Sequence, residues 1–226
     1  MRTNDVAAAV QGRTLVETNK MIRNTYMLLA MTLVFSTVTA AISMVINPPT
    51  MVYFGSVIAS FVMIFVLNRM QNSVWALPMT FLFTGLMGFG LGPILNHYLA
   101  LANGGEIIMT AMGMTALTFF GLSAYVLTSR KDFSFMGGFL AAGMIVVLIA
   151  IVASFVLPMF GVQISGFSTA ISAVVVLLMA GMILYDTSNI VNGTYTNYVM
   201  ATVSLYLSIY NLFVHLLVLV GVLSDD

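Results

Sequence analysis

Cysteine is missing from this chain and charge is nearly so, with acidic and basic side chains making up only 6% of 226 residues. Without cysteine there is neither a disulfide nor a thiolate metal site. Soluble chains carry about 25% charged residues, and a chain that is 61% hydrophobic has too little polar surface to be one of them. The seven basic residues form no patch that could track a phosphate backbone, so nucleic acid is excluded as a partner. Prolines number only five, and the apolar runs they leave are continuous rather than alternating, which excludes a β-barrel. An all-α integral membrane protein is what remains.

Catalytic patterns are equally scarce. The two histidines, His97 and His215, stand in no metal-binding spacing. No serine sits in a Gly-x-Ser-x-Gly elbow, and Gly121-Leu122-Ser123-Ala124 reads as helix packing. Neither a phosphate loop nor a cofactor motif is present, so the chain reads as a non-enzyme with no cofactor and no metal. The 19 methionines and 16 phenylalanines are scattered in a way that suits adaptable packing.

What is present is a series of apolar segments, each near the roughly 20 residues that cross a bilayer at about 1.5 Å per residue. The expected spans are 25–46, 51–68, 74–95, 107–128, 135–157, 166–187 and 198–223, together forming one membrane domain over 25–223. Asn47-Pro48-Pro49 stops the first and Pro158 the fifth. Span three holds Gly85, Gly88, Gly90, Gly92 and Pro93. It reads as a close-packing helix with a small-xxx-small pair at Gly88 and Gly92, or else as a broken helix lining a cavity. Residues 1–24 form a polar tail, partly helical from Thr14 onward, that is either a handle for another protein or a solvated leader. The tail contains no short apolar core with a cleavage site, so the first span is expected to act as its own targeting signal.

Charge placement orients the bundle. Arg2, Arg13, Lys20 and Arg23 lie in the tail, Arg69 in the second connection, and Arg130 and Lys131 in the fourth. The odd-numbered connections and the C-terminus hold only Glu106, Asp225 and Asp226. With seven spans all the basic residues fall on one side, so the positive-inside rule predicts a cytoplasmic N-terminus and an external C-terminus.

One acidic residue breaks the pattern. Asp186, in Tyr185-Asp186-Thr187-Ser188-Asn189, is embedded in an apolar run near the membrane boundary. A carboxylate there is costly unless hydrated, paired or protonated, which marks a functional site; snorkelling to the interface or capping a polar turn is the bland alternative. Ser204, Ser208, Asn211 and His215 are spaced four, three and four residues apart and share one helix face. With the hairpin centred near Asn197, Asp186 and Ser208 are expected at similar depth. The face reads as a polar seam, or simply as hydrogen-bonding glue between helices.

Two segments then carry a resemblance. Ile183-Leu184-Tyr185-Asp186-Thr187-Ser188-Asn189-Ile190 and Ser204-Leu205-Tyr206-Leu207-Ser208-Ile209-Tyr210-Asn211-Leu212-Phe213 resemble the sixth- and seventh-helix signatures of the Bax-inhibitor-like membrane family. Arg23-Asn24-Thr25-Tyr26, Gly92-Pro93-Ile94-Leu95-Asn96 and the segment Ser123 to Asp132 are similar to one bacterial branch of it. The resemblance implies seven helices, an external (periplasmic) C-terminus and a multi-pass location in the bacterial inner membrane. It also implies a role in protein quality control, as slow substrate and inhibitor of the membrane-anchored, ATP-dependent protease FtsH and its membrane complex. Engagement would run through the cytoplasmic tail, with Arg2, Asp5 and Arg13 as its charged residues.

Other members of that family are proton-sensitive calcium leaks, in which two aspartates share a proton and latch to an arginine. Asp186 matches the first aspartate and Arg69 the arginine, but the second aspartate falls on Ser208. A serine removes the like-charge repulsion that tunes such a pair and gives a calcium ion one negative ligand fewer. The alternative reading is therefore a pH-sensitive calcium or proton leak, with Asp186, Ser208, Asn211, Arg69 and His215 as its candidate ion or proton site.

Overall fold

A computed structural model describes residues 3–162 and 164–224, with side chains described from residue 17 onward. Seven long helices follow in order: α1 (Thr3–Ile46), α2 (Met51–Met70), α3 (Ala76–Leu99), α4 (Gly104–Ser129), α5 (Gly137–Val156), α6 (Phe167–Val191) and α7 (Tyr198–Ser224). Short 3-10 turns, Ser134–Met136 and Leu157–Phe160, flank α5. No strand occurs among the described residues. All seven helices are long and apolar enough to cross a membrane.

Three helix boundaries differ from those read off hydropathy. Helix α1 does not begin near residue 25 but runs unbroken from Thr3. At 1.5 Å per residue its 44 residues extend about 66 Å, roughly twice the hydrocarbon thickness, so the helix is longer than one crossing requires. The tail positions Arg2, Asp5 and Arg13 lie outside the residues whose side chains are described. Helix α3 passes through Pro93 to Leu99. Helix α6 continues past Asp186 to Val191, because nothing before Gly193 breaks it. Gly193 takes φ +74°, and Thr194 N–H bonds Asn189 O at 2.9 Å while Gly193 N–H reaches Ile190 O at 3.4 Å. That pair of bonds closes the helix as a Schellman motif.

The bundle is held together by small side chains. Thr25, Leu29, Thr32, Ser36, Ala40 and Ser43 recur every three or four residues and are all buried, which gives α1 a single narrow inner face. Gly88 and Gly92 of α3 face it so closely that a Cβ on Gly88 would overlap Ser36 O, and one on Gly92 would overlap Ser43 Oγ. The glycines of span three thus pack a continuous helix against its neighbour, the small-xxx-small arrangement. Helices α6 and α7 form a second tight pair, whereas α5 makes extended contact only with α6 among the long helices. The outer faces of α2 and α5 expose Ile58, Phe61, Phe65, Leu148, Val152 and Phe155. Such a surface is stable only against hydrocarbon.

Candidate functional site: a buried carboxylate between the last two helices

Successive positions on a helix fan out by about 100°, and three neighbours at the end of α6 consequently reach three different parts of the bundle. Asp186, fully buried, points toward α7. Its Oδ2 accepts a hydrogen bond from Ser204 Oγ at 2.8 Å, and its Oδ1 accepts one from Tyr195 Oη at 2.9 Å. Thr187 Oγ1 lies 3.3 Å from Tyr26 Oη of α1 and 3.4 Å from Ser123 Oγ of α4. Ser188 Oγ accepts the Phe133 N–H at 2.8 Å and thereby holds the α4–α5 connection.

Tyr195 reaches Asp186 because the six-residue linker after α6 folds back over the helix end. Its N–H bonds Asn189 O at 3.3 Å. Asn197 ties the same linker to the α2–α3 connection through Gln71 O at 2.8 Å and Asn72 Oδ1 at 3.0 Å. Burial, and next the charge of Asp186, push the Tyr195 phenol above its ordinary value, so it remains a hydrogen-bond donor. In the neighbouring connection, Asp132 accepts the Ser134 N–H at 2.8 Å. Hydrogen bonds from Ser134 hold that exposed carboxyl below the usual carboxylate range.

The other residues singled out from sequence distribute as follows. Ser208, also buried, donates to Ser204 O at 3.1 Å, and Asn211 Nδ2 donates to Leu207 O at 2.9 Å, each within α7. His215 Nδ1 sits 3.0 Å from Ser172 Oγ, a second polar bridge between α6 and α7 farther along the seam. Arg69 is exposed at the end of α2, and no ion pair joins it to Asp186 among the described residues. Asp186 meets Ser204 rather than Ser208 because the hairpin turns near Tyr195, two residues before Asn197. The shift moves the facing position by about one turn. Among the described residues no three His, Cys, Asp or Glu side chains gather as metal ligands would.

Both carboxylate oxygens are thus satisfied by neutral hydroxyls, and among the described residues no cationic side chain pairs with them. The arrangement can lock two helices and a linker together, and it can exchange a proton if water reaches it.

Seven helices long and apolar enough to cross a bilayer, with this polar centre between the last two, define a multi-pass membrane protein. Comparison with known proteins makes the class specific. The Bax1-I family model, "Inhibitor of apoptosis-promoting Bax1", matches residues 18–225, and the chain belongs to that family. It is 46% identical over 221 residues, 98% of each chain, to the Escherichia coli K12 protein named modulator of FtsH protease YccA. An Escherichia coli O6:H1 relative with the same identity and coverage is named inner membrane protein YccA. A Pseudomonas aeruginosa protein is 50% identical over 210 residues, 93% of this chain and 92% of its own. The chain is a multi-pass protein of the bacterial inner membrane.

Proposed function

We propose that this protein modulates FtsH by direct association, as a slow substrate that occupies the protease and so spares other membrane substrates, with no catalysis of its own. The observation that carries the reading is the 46% identity over 98% of both chains to a named FtsH modulator. The architecture gives the reading a physical basis. Helix α1 runs on past the membrane as an arm from Thr3, which the positive-inside rule places in the cytoplasm. A protease that pulls on that arm must then extract a bundle locked by glycine–serine packing and by the Asp186 hydrogen bonds. Easy engagement followed by hard extraction makes a slow substrate and therefore a competitor. Deleting residues 2–13 is expected to stop the slow turnover in cells carrying FtsH and to abolish protection of a competing membrane substrate. Turnover and protection unchanged by the deletion would remove the reading.

A second reading is favoured by the fully buried carboxylate, which among the described residues is held by hydroxyls and no cation; such an intramembrane group marks a functional site by default. On that reading the protein passes protons or calcium past Asp186. Liposomes containing the purified protein would then show a flux that Asp186→Asn changes. Flux equal to that of empty liposomes would end this reading and leave the first untouched.

A further inference from the structure

Helices α1 and α4 make no extended contact with each other. Between them lies a half-open slot of about 270 Å³ whose walls include Leu33, Ala40, Leu91, Phe119, Ile209 and Phe213. These positions fall in the middle stretches of α1, α4 and α7 and toward one end of α3, so the slot lies at hydrocarbon depth. The residues flanking its mouth, Val34 and Val38 on α1 and Met112, Leu117 and Phe120 on α4, are exposed, so the medium outside it is lipid.

The slot's few hydroxyls have nothing to offer a polar ligand. Ser36 Oγ and Tyr206 Oη bond each other at 2.6 Å, and Tyr206 also donates to Thr84 O. Thr37 and Thr115 donate back to Leu33 O and Ala111 O, at 2.8 and 2.7 Å. Tyr210 also lines the slot, and its unpartnered Oη has less than 1 Å² of accessible surface, so it is the ring and not the hydroxyl that meets the space. What faces inward is hydrocarbon and aromatic ring. An apolar void left empty deprives its walls of contacts on one side, and a dry cavity of 150 Å³ already takes up benzene. By that scale the slot holds roughly ten carbon atoms.

We infer that this slot is a binding site for the acyl chain of a bilayer lipid, which enters sideways between α1 and α4 and lies against Ile209 of α7. A lipid's acyl chain lies within the hydrocarbon layer, the depth of the slot. Its hydrocarbon matches the lining, and it needs no hydrogen bond. The site is separate from the Asp186 centre and would tie the α1–α7 spacing to the surrounding lipid.

The test uses the full-length protein reconstituted in phospholipid vesicles that contain a phospholipid with a photoreactive diazirine at the methyl end of one acyl chain. After irradiation, labelled residues are mapped by mass spectrometry. The expected result is labelling of buried wall residues, Ile209 and Ala40 among them, in addition to the outer face of α5. In Ala116→Phe, which fills the mouth, and separately in Ala40→Leu, which fills the floor, wall labelling is expected to fall about tenfold or more, equivalent to at least about 1.4 kcal/mol of occupancy. Labelling of Leu148–Phe155 on α5 should stay constant and reports that each variant is folded in the bilayer. Label confined to outward faces, or wall labelling that neither variant reduces, overturns the proposal. So does protein–protein cross-linking through residues 112–120, which would mean that a second copy fills the slot.

Discussion

Gly88→Val is expected to destabilise the protein by about 3 kcal/mol or more, the upper range for overpacking a tight interface. The cause is local. A Cβ at this position overlaps the backbone oxygen of Ser36 and approaches Thr39 Oγ1 and Ser36 Oγ. Backbone cannot rotate away as a side chain can, so α1 and α3 must separate. The same added carbon crowds Ser36 Oγ and so also strains its bond to Tyr206. Gly113→Ala is the matched control. Gly113 lies on the outward face of α4 with nothing within 4 Å of the added carbon, and alanine there is expected to be neutral or to stabilise by up to about 1 kcal/mol. Thermal unfolding in detergent measures both. The same pair probes the proposed function. A bundle that is easier to pull apart should be degraded faster by FtsH, so Gly88→Val is expected to turn a slow substrate into a rapid one, while Gly113→Ala leaves turnover unchanged.

Asp186→Leu carries the second large effect. It strips the acceptor from two half-buried hydroxyls at once, and a donor left unpaired away from water costs about 1–3 kcal/mol. Because both donors are only half-buried, the expected loss falls in the lower part of twice that range, about 2–4 kcal/mol. Asp186→Asn retains one carbonyl oxygen and is expected to cost about 1–2 kcal/mol. The decisive variant combines Asp186→Leu with Tyr195→Phe and Ser204→Ala. With no donor left to satisfy, it should recover more than half of what the single change loses, a non-additivity that only directly coupled groups produce. Simple addition of the three costs would mean that Asp186 is not held by these two hydroxyls.

Legibility from sequence divides along physical lines. Seven helices could be counted because span length is fixed by bilayer thickness, and the glycine run of α3 announced close packing because only glycine leaves room for a neighbouring backbone. Asp186 stood out because ionised groups are rare in apolar runs. Its partners were less accessible. Ser204 lies on the same helical face as Ser208, and choosing between them requires knowing where the hairpin turns. That depends on the Schellman closure at Gly193, so an emphasis on this glycine would have ended α6 at Val191 rather than near Thr187. Tyr195 carried no periodic signal at all, since a linker residue acquires its role only when the chain folds back. The arm of α1 was obscured by its polar composition, because hydropathy finds the part of a helix that is in lipid and not the helix itself. The α1–α4 slot had no sequence signature, being the space left where two helices fail to meet.

Competition for FtsH is the central property to be measured. The direct measurement is the half-life of a second membrane substrate in proteoliposomes with active FtsH and ATP, with and without the full-length protein. The expected result is a longer half-life when the protein is present, slow loss of the protein itself, and no protection from a version lacking residues 2–13. An unchanged substrate half-life, with the protein intact beside a working protease, would contradict it.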